Sequence, residues 1–428
     1  MLTRLKLHRF RYIKPGTELR FTDRFNVLLG KNGTGKTTLL QLISMVLRSD
    51  FSALRDEEFD IEYEFAHALG TGSVRFQNKR RSPLPDLTTS ASRGGGKVRQ
   101  HHPHVVFKLH AKRRGSEHDY EVVIDGITMQ WRKDGSAWEG NAAVNAFEGS
   151  LFATVAVTTP IPDAPTPDWN FILLDFNLTA SQAYRFDESL GTFDSITDAN
   201  RLPVVGGVPP ISLEMSFNEA DWSWARGSFV PSDYKPMRPE PGQSSTAVDL
   251  PTNASLAKFP ALSSIKTMSM SFAVEGSRGQ PDDVWWTFGR AEFLFSNAKG
   301  SVFNHNLLSY GQKRLLAFLY YLDANPQYVV ADELVNGMHH DWIRACLDEI
   351  GDRQAFLTSQ NPLLLDYLPL ESVEQVERSF IQCRSEVIDD ETVISWSNLA
   401  AEDAAELFAD YKVGVQPVGE ILRARGLW

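Results

Sequence analysis

Between an apolar run, Phe25 to Leu29, and a segment of helical periodicity, Thr37 to Leu47, stands Gly30-Lys31-Asn32-Gly33-Thr34-Gly35-Lys36-Thr37. It matches G-x-x-x-x-G-K-[ST] in full, and the pattern works only where a strand enters a tight turn and a helix leaves it. Apolar residues at Leu39, Leu40, Ile43, Val46 and Leu47 supply the helix. Glycines let backbone N–H groups curl around an anion, and the helix aims its positive end at the same point. Gly30, Asn32, Gly33 and Gly35 therefore form a candidate phosphate cradle, with Thr38 in the first turn behind it. Lys36 is placed to reach the β- and γ-phosphates of a nucleotide, and Thr37 to offer its hydroxyl to Mg²⁺.

The rest of the chain must supply a sheet for that strand. At 428 residues and 42% hydrophobic there is ample material for a large core. Strand and helix patterns alternate again near the other end: a helix over Gln312 to Leu322, a buried strand Tyr328 to Ala331, a helix Asp341 to Ile350, a strand Ala355 to Thr358 and a helix near Leu363 to Tyr367. Such alternation at both ends predicts one parallel α/β core, divided in sequence. Leu2, Leu5 and Leu7 read as an exposed-edge strand, and Glu18 to Phe21 as a second.

The middle has a different texture. Ile61 to Trp131 alternates with period two, as in Val105, Phe107 and Leu109, then Tyr120, Val122 and Ile124, which predicts antiparallel strands. Between them Asn78 to His104 reads as a long mobile loop. Gly191 to Pro260, with Pro209–Pro210 and a run from Pro231 to Pro241, reads as an insertion with little regular structure. The expected organisation is 1–60 as the first half of the core, 61–135 as an antiparallel β subdomain with the loop 78–104, 136–300 as an inserted lobe with the Pro-rich 191–260, and 301–428 as the second half. There are no internal repeats and no sustained heptads.

Two further patterns bear on chemistry. Tyr328-Val329-Val330-Ala331-Asp332-Glu333 is an apolar strand ending in two acids, suited to holding Mg²⁺ through Asp332 and polarising a water through Glu333. Upstream, Leu308-Ser309-Tyr310-Gly311-Gln312 opens a helix with serine and glycine, again an anion site. Ser309 also satisfies the simpler description of a helix N-cap.

These three motifs, in this order, resemble the ABC-type ATPase heads, whose signature reads L-S-G-G-Q, and within them the SMC-like and RecF-like heads, including ATPases of OLD, Septu and PARIS type from bacterial antiphage systems. The resemblance covers roughly 1–50 and 300–370, including Gly337-Met338-His339-His340 after the acids. It implies an ABC-type P-loop ATPase core, a mixed or parallel sheet flanked by helices, with the antiparallel subdomain and irregular insertions added. It implies ATP and Mg²⁺ as cofactors, Lys36 and Glu333 as catalytic residues, Asp332 and Thr37 on the metal, and Ser309, Gly311 and Gln312 on the nucleotide of a partner subunit, hence two ATPs buried between two heads. The signature departs from the family at Tyr310. Where the family places a switch histidine this chain has Thr358-Ser359-Gln360-Asn361-Pro362; Gln360 can hydrogen-bond a γ-phosphate but carries no charge, which points to slow turnover or to ATP as a clamp. Gln77 is the candidate for the glutamine that in this family joins site to lobe. His339-His340 falls in the turn that faces the partner subunit, so an interface role is preferred to a metal.

The formal net charge of −11 excludes a generally nucleic-acid-coating protein. Locally the sign reverses: Arg75, Lys79, Arg80, Arg81, Arg93, Lys97, Arg99, Lys108, Lys112, Arg113 and Arg114 stand against one acid, Asp86. Two readings stay open for 75–114, a grip on a phosphate backbone or acidic partner and a solvated loop. His101, His102 and His104 lack zinc spacing. Cys346 and Cys383 read as buried, reduced thiols, and no apolar run is long enough for a membrane helix, so a cytoplasmic protein is expected. About sixty residues follow the switch segment, too few for a Toprim nuclease, and no H-N-H arrangement appears, so an effector would be a separate chain. The ending after Pro417 reads as a last amphipathic helix packed on its own core. Three functions follow: an ATP-gated regulator of a separate effector in defence or DNA transactions, a RecF-like repair ATPase, and the ATP-binding subunit of a membrane transporter.

Overall fold

The computed structural model describes residues 1–80, 101–113, 116–158, 173, 183, 185–187, 213–217, 222–224, 233–240, 242–280, 283–388, 391–414 and 416–427. The chain forms two compact units, Met1–Ala183 with Gln354–Thr358 and Pro369–Trp428, and Tyr184–Arg353 with Ser359–Leu368.

The first unit begins with β1 (Leu2–Phe10), β2 (Thr17–Arg20), β3 (Phe25–Leu29), β4 (Phe59–His67), β5 (Gly70–Arg80), β6 (His101–Arg113), β7 (Ser116–Asp125), β8 (Thr128–Lys133) and β9 (Glu139–Ala143). All but β3 join one antiparallel sheet in the order β2-β1-β4-β5-β6-β7-β8-β9. Alternation decides its faces. Phe59, Ile61, Tyr63, Phe65, Val74, Phe76, Val105, Phe107, Val122 and Ile124 are all buried on one side, with Phe51, Phe76 and Phe147 packed edge-on or tilted among them. The other face is a ladder of charges.

β1 is an interior strand rather than the exposed edge expected. Its charged residues face solvent-side neighbours of opposite sign: Arg4 pairs with Glu18 of β2 at 2.9 Å and with Glu62 and Glu64 of β4 at 2.9 and 2.6 Å. The charge that marks an edge in sequence is here neutralised across the sheet. The expected loop 78–104 is narrower as well, because β5 runs to Arg80 and β6 starts at His101; residues 81–100 lie outside the described residues.

The second unit contains β10 (Leu213–Phe217), β11 (Trp222–Trp224), β12 (Lys235–Pro236), β13 (Ser245–Asp249), β14 (Thr267–Gln280), β15 (Asp283–Ser296) and β16 (Val302–Asn304). The long β14–β15 hairpin is the spine of a sheet ordered β11-β10-β15-β14-β13-β12, with β16 on β15. The segment 191–260, read as irregular, thus contributes β10 to β13. They are short, and Pro236 sits on a two-residue edge strand, where a missing N–H costs least. Half-buried Asp323 ties this region to the helix Tyr310–Ala324: it accepts from Ser255 N at 2.7 Å, Leu256 N at 2.9 Å and the Tyr234 hydroxyl at 2.8 Å. Burial raises the pKa of its carboxyl, against the pull of those donors. β17 (Tyr328–Ala331), wholly buried, and the helices His340–Ile350 and Leu363–Asp366 also belong to this unit.

β18 (Gln354–Thr358), β19 (Phe380–Ile388) and β20 (Glu391–Asn398) return to the first unit. There β3 is parallel to β18 on one side and β19 on the other, and β20 closes the hairpin antiparallel to β19. The fold is therefore α/β, a parallel-centred mixed sheet flanked by helices, with an antiparallel β subdomain. Pro417 caps the helix Val418–Ala424, whose Val418, Ile421 and Leu422 are buried, while Val413 before it is exposed. No described helix is long and apolar enough to cross a membrane.

The Arg4 guanidinium holds the Glu18 carboxyl down at about 2. A carboxyl lowered in the folded state stabilises above its ordinary range and loses that contribution as pH falls through the folded value. Glu18→Gln should melt a few degrees below the wild type at pH 7, and the gap should close as pH approaches 2; calorimetry across pH checks this, and a gap independent of pH would remove the ion-pair explanation.

Candidate nucleotide site

The loop 30–37 belongs to the first unit, and its shape is set from behind by backbone. All five residues of β3 are buried. Gly30 leaves it at φ +146, and a Cβ there would stand 2.3 Å from the Cys383 carbonyl oxygen on β19. Only glycine passes that point. The Thr34 hydroxyl donates to Lys31 O at 2.8 Å, closing the turn. The Lys36 ammonium lies inside the loop, donating to Gly30 O at 2.6 Å and Lys31 O at 2.9 Å. Asn32, Gly33 and Thr37 are exposed and Thr38 half-buried. The helix Lys36–Arg48 starts at Gly35 with no side-chain cap and no acid in its first turn. That leaves its positive end suited to an external anion.

The far side of the loop is braced by a residue with no sequence signal. Trp396 of β20 is 3% exposed and donates from Nε1 to Thr34 O at 3.2 Å. Its ring and Ile394 lie 3.3 Å from where a Cβ on Gly35 would be. Nothing in the alternation of β20 distinguishes Trp396 from an ordinary core aromatic. Cys383 is buried, and desolvation pushes its thiol up to about 12; Cys346 is also buried and free.

The second unit holds the other candidate residues. Ser309 is the N-cap of the helix Tyr310–Ala324: its hydroxyl accepts from Gln312 N at 3.3 Å, and Gln312 Oε1 accepts from Ser309 N at 2.9 Å. The serine thus acts as a cap while its side chain stays exposed. A Cβ on Gly311 would lie 2.8 Å from Gly337 O, and Tyr310, 64% exposed, covers Gly337. Asp332 and Glu333 follow β17 and are half-buried. The structure brings Gln360 to Glu333, with the Gln360 N–H donating to Glu333 Oε2 at 3.2 Å. Arg314, 7% exposed, donates to the carbonyls of Glu333 and Leu334. Its sequence context, Lys313-Arg314 just before the apolar run Leu315 to Leu319, gives no sign of this role.

Two other expectations look different in three dimensions. Several of the described cations of 75–114 are paired with acids. Arg75 pairs with Asp60 at 3.0 Å, Lys108 with Glu121 at 3.6 Å and Lys112 with Glu117 at 2.7 Å. His102 and His104 share Asp125, whose carboxyl is lowered first by the His102 bond. Gln77 donates to Asp60 Oδ2 at 2.6 Å within the same ladder. Arg81, Arg93, Lys97, Arg99 and Arg114 lie outside the described residues. His339, His340 and Asp341 place three ligand atoms within 4.8 Å of one another on exposed side chains at the start of a helix.

A strand–glycine loop–helix, a serine-capped helix, a strand ending in two acids and a strand followed by Gln360 occur in the order of ABC-type heads, and together with the mixed sheet they define an α/β P-loop core of that type. A family model described as "AAA domain, putative AbiEii toxin, Type IV TA system" matches residues 25–366, most of the chain, and the chain belongs to that family. Solved structures similar in outline include the SMC head domain from Thermotoga maritima, 13% identical with a TM-score of 0.37, covering 93% of this chain and 99% of that one. The SmcHead bound to the C-winged helix domain of ScpA is 12% identical, TM-score 0.39, covering 94% and 98%. The recombination mediator protein "RecF-ATPrS" in the RecFOR pathway is 11% identical, TM-score 0.36, covering 94% and 98%. No curated protein matches the sequence significantly.

Trp396→Phe keeps a ring against Gly35 but removes the donor to Thr34 O. ATP affinity should fall about fivefold, the worth of one net hydrogen bond of roughly 1 kcal/mol, in titration with a fluorescent ATP analogue. Unchanged affinity would show that the loop holds its shape without the brace.

Proposed function

We propose that this chain is an ATP-binding and ATP-hydrolysing ABC-type head that dimerises through ATP and governs a separate effector, probed first as a member of bacterial defence. The observation that carries the nucleotide part is the loop itself. A complete G-x-x-x-x-G-K-T sequence is folded as strand, turn and helix, with Lys36 inside it and neither acid nor side-chain cap in the helix's first turn. That arrangement fits a polyphosphate and would repel a cation.

Lys36 and the backbone of Gly33 and Gly35 bind and orient the phosphates. Bound Mg²⁺ would neutralise phosphate charge, and the donors for it are hard oxygens, the Thr37 hydroxyl and the Asp332 carboxylate, which suit that ion. Glu333 orients the attacking water and takes its proton; Gln360, held to Glu333 through its backbone N–H, senses the γ-phosphate by hydrogen bonding alone. Ser309, Gly311 and Gln312 present an uncluttered helix start to a partner's nucleotide. The separate effector and the defence role rest on the family, whose description includes a putative toxin of a toxin–antitoxin system. The cross-strand pairing of Arg75, Lys108 and Lys112 weakens the case for a nucleic-acid grip on that face.

Lys36→Ala should abolish ATP binding measured by calorimetry, whereas Glu333→Gln should bind ATP, lose turnover by about a hundredfold or more and accumulate as a dimer on light scattering. ATP binding undiminished in Lys36→Ala would end the assignment. Ser309→Arg, made in the Glu333→Gln background, should still bind ATP but remain monomeric; a dimer with two trapped nucleotides would refute the contact in trans.

A further inference from the structure

Arg314 lies five positions after Ser309 on the same helix, and among the described residues it has no carboxylate partner. A buried guanidinium without a counter-charge persists only if its donors are fully engaged. Here Nε donates to Leu334 O at 2.9 Å and Nη2 to Glu333 O, while the guanidinium carbon stands 5.2 Å from the centre of the Phe186 ring. Both acceptors are peptide carbonyls of the turn that follows β17.

That turn is strained at one residue. Glu333 has φ +51, in the left-handed region, where a side chain with a Cβ is disfavoured and which asparagine and aspartate tolerate better than other residues. Such a conformation survives where its surroundings over-determine it. The contacts that hold it include Arg314 on the Glu333 carbonyl, Asn336 N on the same carbonyl at 3.1 Å, and Gln360 N on the carboxylate at 3.2 Å. Of these only Arg314 comes from a packed helix, and that helix is fixed to the turn again where Gly311 meets Gly337 O and Tyr310 covers Gly337.

We infer that Arg314 is the positioning residue that fixes the left-handed backbone of Glu333 and thereby aims its carboxylate, acting through two peptide carbonyls without touching substrate. The helix that begins at Ser309 and the orientation of Glu333 are then mechanically one piece. The inference rests on the proposal that Glu333 is the general base, and its test separates the two.

Steady-state ATP turnover is measured for the wild type, Glu333→Gln, Arg314→Met, Arg314→Lys and Arg314→Ala, together with a crystal structure of Arg314→Met. Arg314→Met, which keeps the bulk, should lower kcat by about ten- to a hundredfold, the scale of an ångström-level misplacement, with KM for ATP within about twofold because Lys36 and the loop are untouched. Arg314→Lys should recover only part of this, since an ammonium cannot span both carbonyls in a fork. Added guanidinium should restore turnover to Arg314→Ala, and equal urea should not. In the Arg314→Met structure, Glu333 should have left positive φ. A kcat unchanged in Arg314→Met, or a Glu333 still near its original φ in that structure, overturns the inference. A Glu333→Gln enzyme as fast as the wild type instead overturns the assignment of the base, and the backbone geometry of Arg314→Met still decides the role of Arg314.

Discussion

The close approach of Gly30 to the β19 backbone is the constraint from which the nucleotide loop takes its form. β3 has a parallel neighbour on each side, so its end can turn only in the space left above the Cys383 carbonyl. With Gly30 fixed there, the Thr34–Lys31 bond and the Lys36 bonds close the loop on itself. The helix that follows has nowhere to begin but at Gly35, with its first N–H groups directed into the loop. Trp396 then holds the outer side. The proposed anion site would then be a product of backbone geometry, with side chains such as Trp396 and Thr34 keeping that backbone in place.

The second unit solves a similar problem by another route. Its acids follow a buried strand, and the peptide at Glu333 is held in an unfavourable conformation by donors from outside the turn. The Ser309–Gln312 capping box, the Gly311–Gly337 approach and the Arg314 bonds all join one helix to one turn. Strain at Glu333 and the burial of Arg314 support each other: the guanidinium places two of its donors on carbonyls of the strained turn.

Charge in this chain is arranged across strands, and that separates what is near in sequence from what is near in space. On β6, His104, Lys108, His110 and Lys112 stand opposite Asp125, Glu121, Asp119 and Glu117 of β7. Read along the chain, the first set is a basic run; in the sheet it is one rail of a ladder whose other rail cancels it, as in the pairs Lys108–Glu121 and His110–Asp119. The same arrangement on β1, with Arg4 among Glu18, Glu62 and Glu64, makes an interior strand resemble an edge.

The sequence alone determined what depends on contiguous residues. The glycine loop with its strand and helix, the strand ending in Asp332 and Glu333, the capped start at Ser309, and the one-sided burial of β4 to β7 are local patterns, because a turn, a cap or a period of two is completed within a few residues. What tertiary structure decided involves partners far apart in the chain. Trp396 meets Thr34 across 362 positions, β1 finds acids on both flanks, and within 191–260 β10 and β13 pair with the β14–β15 hairpin. Glu333 takes a left-handed backbone because Arg314, on a helix nineteen residues earlier, supplies the donors. Spacing along the chain carries no record of such contacts, since their free energy is realised only when the packed elements bring the groups together.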